Sequence, residues 1–454
     1  MIQKILIANR GEIAVRIIRT CRLMNIETVA VYSTADKNAL HVQMADEAVC
    51  IGGPLPKSSY LNMKNIIQAA CQTGCDAVHP GFGFLAENAM FAHLVKACGL
   101  IFIGPDGDVI EKLGNKNAAR QLMKENGIPI VPGSDGLLES VSEGMQTAQK
   151  IGYPVMLKAA NGGGGKGMRI VWEPSQFESA WMQAVKEAVA CFGNGDMILE
   201  KYVADPKHIE VQVAADEFGH IVHLYERDCS FQLGHQKMIE EAPSPTLSDS
   251  LRKKMCAAAV KACKASGYTS IGTVEFLLAD TNEFYFMEMN TRIQVEHPIT
   301  ESITGLDLVQ MQIEIADHQP LALKQSDIRI QGHALECRIN AQNSSQHMAF
   351  CTGQLEYLQL PGGRNIRIDS ALYPGMEITP FYDSMLCKII ASGNDRKSCI
   401  QSMKGALEEF WVKGAQTNED FLYYALHNPE FEGGHYTTAF AGQALEEFVI
   451  NECH

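Results

Sequence analysis

The sequence predicts a mixed chain: an N-terminal α/β unit on a parallel sheet, followed by α+β units that grow rich in strands. Three observations carry this. Short apolar runs alternate with helical periodicity over the first hundred residues. From about residue 204 strand patterns dominate. Between these regions lies AANGGGGKGMRI, with glycines at 162–165 in a loop flanked by two strand-like runs.

Taken in order, KILIANR reads as a strand, GEIAVRIIRTCRLMN as a helix and ETVAVYS as a β-branched strand. YLNMKNIIQAACQTG is a helix, CDAVHPG a strand, ENAMFAHLVKACG a helix and LIFIGP a strand. This alternation builds a parallel sheet covered on both faces, with ligands expected at the carboxyl ends of strands. ANRGE and HPGFGF fall there. No G-x-G-x-x-G follows the first strand, which argues against a dinucleotide oxidoreductase. After a helical link (GNKNAARQLMKENGIPIVPG), a second unit begins near residue 130 with strands YPVMLKAA, RIVWE and DMILEKYV and a long helix to Ala190. Strands HIEVQVAAD and HIVHLYERDCS, helix LRKKMCAAAVKACKASG, and strands TVEFLLAD and EFYFMEMN follow. Beyond residue 330 come HALECRIN, QLEYLQL, NIRIDSAL and MLCKIIAS, then a helix from Arg396 to Phe410.

The bulk properties narrow the function. At 454 residues the chain is long enough for several domains with large cores. Lys and Arg total 38 against 53 Asp and Glu, so the net charge is −15. That disfavours nucleic acid and anionic membrane surfaces as partners, while leaving room for a polyphosphate in a local basic cluster. No apolar run reaches membrane-spanning length. The fourteen cysteines, including Cys21, Cys71, Cys98, Cys256 and Cys263, are scattered through apolar stretches with no secretory leader. They are expected to be reduced, mostly buried thiols of a cytoplasmic protein. Cys71 and Cys75 have no matching second pair, which argues against zinc.

A run of four glycines suits a backbone that must approach a phosphate closely, with Lys166 beside it; the alternative is a solvent-exposed turn. Its place between two strands favours a lid over phosphates. In TVEFLLADTNEFYFMEMNTRIQVEHP, Glu275 lies on one strand and Glu288 on the next, with Asn290 two residues on. Such oxygen donors on one face suit Mg²⁺, or else a salt-bridged hairpin. Arg292, Gln294 and Glu296 also alternate by two, as a small-anion clamp with a base would, or as an exposed strand would. His208 and Glu210 share a face, and His235 and Lys237 would share one if that piece is extended. Lys116, Lys158 and Lys166 add positive charge from separate segments. Together these groups describe an ATP–Mg²⁺ site.

The ordered motifs IANRGEIAVRIIR, HPGFGFLAEN, GGGGKGM, EKY, HIEVQV, ERDCS, HQK, EFYFMEMNTRIQVEHPITE, ECRINA and FYDSM resemble biotin carboxylase, an ATP-grasp enzyme, from residue 2 to about 440. The resemblance implies a Rossmann-like domain over 1–115, a mobile glycine-lid domain with its helical link over 116–203, an ATP-grasp catalytic domain over 204–330 and a β-rich C-terminal domain over 331–454. It implies that Lys116, Lys158 and His208 meet the ATP phosphates under Gly163, Gly164, Gly165 and Lys166, with adenine near Glu200, Lys201 and Val203. Gln232 and His235 join the cofactor-binding set. Glu275, Glu288 and Asn290 would hold Mg²⁺, or Mn²⁺ in its place. Lys237, Arg292, Gln294 and Val295 would bind bicarbonate, and Glu296 would deprotonate it. Attack on the γ-phosphorus would give carboxyphosphate, which breaks down to CO₂ and a phosphate that takes the ureido proton of biotin. Arg338 would stabilise the biotin enolate-like oxygen, with Gly83 and Phe82 bordering the biotin.

The implied partners are a biotin carboxyl carrier protein and carboxyltransferase subunits, with a homodimer expected. No Ala-Met-Lys-Met carrier signature is present, so a free-standing subunit is expected, most naturally of acetyl-CoA carboxylase in fatty acid biosynthesis. A pyruvate or other acyl-CoA carboxylase, another ATP-grasp ligase and a regulatory paralogue are the alternatives. Three departures stand out. Leu233 and Gly234 replace two usual basic residues, Gln342, Asn343 and Ser344 replace an acidic pair and proline ahead of AFCTG, and Phe82 replaces a frequent tyrosine.

Overall fold

The structure is a computed structural model that describes residues 1–134, 136–160 and 167–452. Gly163, Gly164, Gly165 and Lys166 lie outside the described residues. The chain divides into two compact units, Met1–Ile128 with Lys207–Phe276 and Glu288–His454, and Pro129–Pro206 with Leu277–Met287.

The larger unit opens with a five-stranded sheet in the spatial order Glu47–Gly52, Glu27–Ser33, Lys4–Ile7, Ala77–His79, Ile101–Phe102, all parallel. The inner strands are apolar on both faces because helices cover both. Helix Gly11–Leu23 buries Ile13, Ala14, Ile17, Ile18 and Cys21 against one face. Helices Met63–Gln72 and Ala89–Ala97 close the other with Ile66, Phe91 and Val95. The edge strand Glu47–Gly52 is not visible in the sequence pattern, since most of it faces water and only Ile51 is buried.

A second sheet, most of it in this unit, has eight strands, in the order Phe284–Asn290, Ser270–Leu278, Lys207–Ala215, Ile221–Leu233, Gln236–Ala242, His333–Asn340, Met385–Gly393, Ile366–Ser370. Its register matters for chemistry. Arg227 pairs with Glu210, Glu240 with Glu336, and Arg338 with Lys388. Helices Arg396–Glu409, Glu419–Leu426 and Phe440–Glu452 seal the C-terminal half around Phe231, Leu335, Ile389 and Phe421. The last two helices, like His297–Thr304 and Leu308–Ala316, were not apparent from local periodicity.

The smaller unit holds the three-stranded antiparallel sheet Met168–Val171, Val155–Ala159, Met197–Lys201, packed by helix Phe177–Phe192 through Phe177, Ala184 and Ala188. Helix Val141–Ile151, capped by Ser140 accepting from the Glu143 N–H, also packs there. Among the described residues no helix is long and apolar enough to cross a membrane. Cys21, Cys256 and Cys263 are buried, but Cys71, in helix Met63–Gln72, and Cys98, just past helix Ala89–Ala97, are exposed.

Two local expectations are corrected. The strand carrying Glu288 ends at Asn290, and residues 291–296 are bends and turns leading into helix His297–Thr304. Arg292, Gln294 and Glu296 therefore do not share a strand face. Gly234 and His235 form a two-residue hairpin turn with φ of +56° and +67°, between the paired Leu233 and Gln236. His235 is exposed at its tip, so it does not share an extended face with Lys237.

Candidate active site

The centre of the candidate site is a buried charge cluster in the larger unit. Strand Lys207–Ala215 presents Glu210, strand Ser270–Leu278 presents Glu275, and the turn before helix His297–Thr304 presents Glu296. Lys237, on strand Gln236–Ala242, donates to all three: 2.6 Å to Glu210, 3.1 Å to Glu275 and 2.6 Å to Glu296. Arg338, on strand His333–Asn340, reaches the other oxygen of Glu296 at 2.9 Å through Nη2. Its Nε sits 2.6 Å from Glu240, so the guanidinium is clamped from two sides.

These pairings set the proton affinities. Burial alone would raise the Glu296 carboxyl, but Lys237, Arg338 and Arg227 hold it well below the usual range. Glu275 behaves likewise, held down against burial by Lys237 and His208. Burial would lower Lys237, yet Glu210, Glu275 and Glu296 raise it well above an ordinary lysine. Glu240 differs: burial pushes it up to about 7 despite Arg338.

The residue beneath the cluster was missed by sequence reasoning. Arg227 is fully buried and spends its fork on Glu210 (2.5 Å), Gln212 (2.6 Å), Thr300 (2.8 Å), Thr273 (3.1 Å) and Gln294 (2.5 Å). It stood in the quoted motif ERDCS, but a single Arg on a strand carries no local mark of burial. Glu210 and Glu240 join it as unassigned members. Gln294, held by Arg227, donates to Glu275 at 2.7 Å, although its neighbour Val295 contributes only backbone here.

The expected metal ligands converge in part. Asn290 donates to Glu275 at 2.8 Å. Glu288 is half-exposed, and burial together with the neighbouring Glu275 charge raises its carboxyl, with Lys116 at 3.9 Å opposing. Two neighbouring carboxylates, with the Asn290 amide beside them, fit a hard divalent cation. His208 Nε2 lies 3.1 Å from Glu275, and its Nδ1 lies 3.3 Å from Gln232. Arg292 is turned to Glu87 at 2.9 Å and to Asn290 at 3.0 Å, so it borders the cluster without touching Glu296.

The other expected residues lie in local arrangements of their own. Asn9 donates at 2.7 Å to both Pro80 and Phe82 carbonyls, fixing the loop in which Gly83 has φ +68°. Leu233, at one departure from the usual motif, packs on the C-terminal core, and Gly234 supplies the positive φ its turn needs. In the smaller unit Lys158 and Glu200 form an ion pair on adjacent strands. There Lys201 donates to the Gly152 and Tyr153 carbonyls at 2.8 and 3.1 Å, and Val203 follows the strand end.

A Rossmann-like sheet, a strand-rich central region and a β-rich C-terminal domain, with a buried Lys–Glu–Arg cluster drawn from the last two, define an ATP-dependent ligase of the ATP-grasp class. Family profiles match in the same order: biotin carboxylase N-terminal domain at 1–110, carbamoyl-phosphate synthase L chain ATP binding domain at 115–324, and biotin carboxylase C-terminal domain at 336–443. The chain is 52% identical over 442 residues to biotin carboxylase 1 of Bacillus subtilis (strain 168), covering 97% of this chain and 98% of that one. It is 48% identical over 443 residues to a pyruvate carboxylase subunit of Methanothermobacter thermautotrophicus, covering 98% and 90%. The crystallised biotin carboxylase domain dimer of Hydrogenobacter thermophilus 2-oxoglutarate carboxylase, in complex with MgADP, ADP and bicarbonate, superposes with TM-score 0.89 at 45% identity, covering 98% of each chain. The chain belongs to the biotin carboxylase family.

Proposed function

We propose that this chain carboxylates biotin on a carrier protein, using ATP and bicarbonate through carboxyphosphate, as the first half-reaction of acetyl-CoA carboxylase. The observation that carries the reading is the convergence of Lys237 and Arg338 on the buried carboxylate of Glu296. A small anion entering this cluster competes for both cations. As they turn to bicarbonate, they lower the proton affinity of its hydroxyl and release Glu296 to act as base. Gln294, held by Arg227, and the Val295 backbone orient the anion, while Arg292 closes its edge.

The deprotonated oxygen attacks the γ-phosphorus, ADP leaves and carboxyphosphate forms. Lys116, Lys158, Lys166, His208 and the 163–165 glycines are assigned to the phosphates, and Glu200, Lys201 and Val203 to adenine. Gln232 and His235 belong to the same substrate-facing set. Glu275, Glu288 and Asn290 would hold Mg²⁺, which neutralises phosphate charge when bound. Carboxyphosphate splits into CO₂ and phosphate, the phosphate takes the ureido proton, and Arg338 stabilises the resulting anion beside Gly83 and Phe82, because its fork stays charged, until the ureido nitrogen attacks CO₂. A homodimer accompanies the reading, supported by the crystallised dimer of the thermophilic relative, and so does a cytoplasmic setting.

The competing parent complex is a pyruvate carboxylase, since the pyruvate carboxylase relative is nearly as similar as the biotin carboxylase of Bacillus subtilis. The intact Lys237–Glu296–Arg338 cluster speaks against a regulatory paralogue. The test is ATP cleavage with Mg²⁺ and bicarbonate, with and without free biotin. Stimulation by biotin that vanishes without bicarbonate supports the reading. ATP binding without turnover overturns it. Carboxyl transfer from the reconstituted complex to acetyl-CoA or to pyruvate then decides the parent.

A further inference from the structure

Lys388 is a fully buried lysine whose charge lies outside the proposed chemistry. It stands on strand Met385–Gly393, directly across from Arg338 on one side and Asp369 on the other. Its Nζ donates to the Val295 carbonyl at 2.7 Å. Glu12, from the first helix of the N-terminal sheet, lies 3.1 Å away and Asp369 lies 3.9 Å away. Asp369 is itself held by both arms of Arg367 at 2.9 and 2.8 Å.

We propose that Lys388 is a positioning residue that fixes the turn bearing Gln294, Val295 and Glu296, and so sets how well the site holds bicarbonate; this rests on the function proposed above. The turn needs an external anchor. Residues 291–296 belong to neither the strand before them nor the helix after them. The Gln294 and Glu296 carbonyls are taken up by the backbone N–H groups of His297 and Ile299, whereas the Val295 carbonyl points to Lys388. One peptide plane carries that carbonyl and the Glu296 N–H, so holding the oxygen fixes the direction in which residue 296 leaves the turn. Glu12 and Asp369 flank the ammonium with negative charge from two other elements. Burial would strip the lysine of its proton, but Glu12, Glu336 and Asp369 raise its proton affinity above the ordinary value, so the donor stays charged.

Lys388→Met removes the donor and keeps the length of the side chain. It also leaves Glu12 buried without its cation, so Lys388→Met/Glu12→Gln is made alongside it to remove that charge. Wild type is measured first for bicarbonate-dependent ATP cleavage with free biotin; its absence fails the proposed function and this inference with it. Given wild-type activity, kcat and KM are taken for bicarbonate and for ATP, with thermal melting as the folding control. The double variant is expected to lose about tenfold or more in kcat/KM for bicarbonate while KM for ATP stays within about twofold, since a small misplacement of a reacting group costs up to roughly 10²-fold. Bicarbonate kinetics within about twofold of wild type in a folded variant overturn the inference. An equal loss for ATP and bicarbonate also overturns it, because general loosening of the fold does not discriminate between substrates.

Discussion

In Glu296→Gln one buried carboxylate becomes an amide of the same shape. The surroundings determine what that removes. Lys237 keeps Glu210 at 2.6 Å and Glu275 at 3.1 Å, and Arg338 keeps Glu240 at 2.6 Å. No buried cation is orphaned, so the roughly 3–5 kcal/mol that follows from breaking a buried pair does not apply. The loss falls instead on proton transfer. A positioned general base contributes roughly 10²–10⁴-fold, or about 3–5 kcal/mol of barrier at about 1.36 kcal/mol per decade. The assay is bicarbonate-dependent ADP release with Mg²⁺ and free biotin, run beside thermal melting of the same preparation. The expected outcome is a turnover loss in that range, an unchanged KM for ATP and a melting midpoint near wild type. A folded Glu296→Gln protein within threefold of wild-type kcat/KM for bicarbonate would refute the assignment of Glu296 as base.

Three further outcomes are expected. Arg227→Met breaks five hydrogen bonds and leaves Glu210 with Lys237 as its remaining cation, so it should destabilise by about 3–5 kcal/mol; a melting midpoint within about 2 °C of wild type would contradict this. Glu241 is buried, which alone would raise its carboxyl, but His333 at 2.7 Å and Arg396 at 2.7 Å lower it to about 2. Because its folded value lies below the ordinary one near 4.5, its contribution is present above that pH and is lost as pH falls from there toward about 2. Glu241→Gln should therefore flatten the acid limb of a pH–melting curve, and an unaltered limb would count against the pairing. Glu288→Gln should raise the Mg²⁺ concentration needed for half-maximal ATP cleavage by roughly tenfold or more, and an unchanged Mg²⁺ titration would remove Glu288 from the metal site.

What was legible in the sequence was whatever is written in neighbouring residues. ETVAVYS and HALECRIN read as strands and occupy the strands Glu27–Ser33 and His333–Asn340. In each the apolar pattern reflects one local burial environment, which periodicity records directly. Glu275, Lys237 and Glu296 stood out in the sequence as oxygen donors and a cation in ordered motifs, Arg338 entered through the family resemblance, and the structure brings these four side chains into one cluster.

Tertiary structure decided the rest. The even spacing of Arg292, Gln294 and Glu296 suggested a strand face, yet they lie in a turn, because the strand ends at Asn290 and the chain turns into the helix His297–Thr304. Arg227 meets Gln294 across 67 residues, and Lys388 meets Val295 across 93. An isolated Arg or Lys looks the same in sequence whether it is solvated or buried. Only the sheet register that places Arg227 by Glu210 and Arg338 by Lys388 distinguishes the two. Periodicity reports which face of an element is dry, but a buried charge is stable only through partners from other elements, and those partners are chosen by the fold.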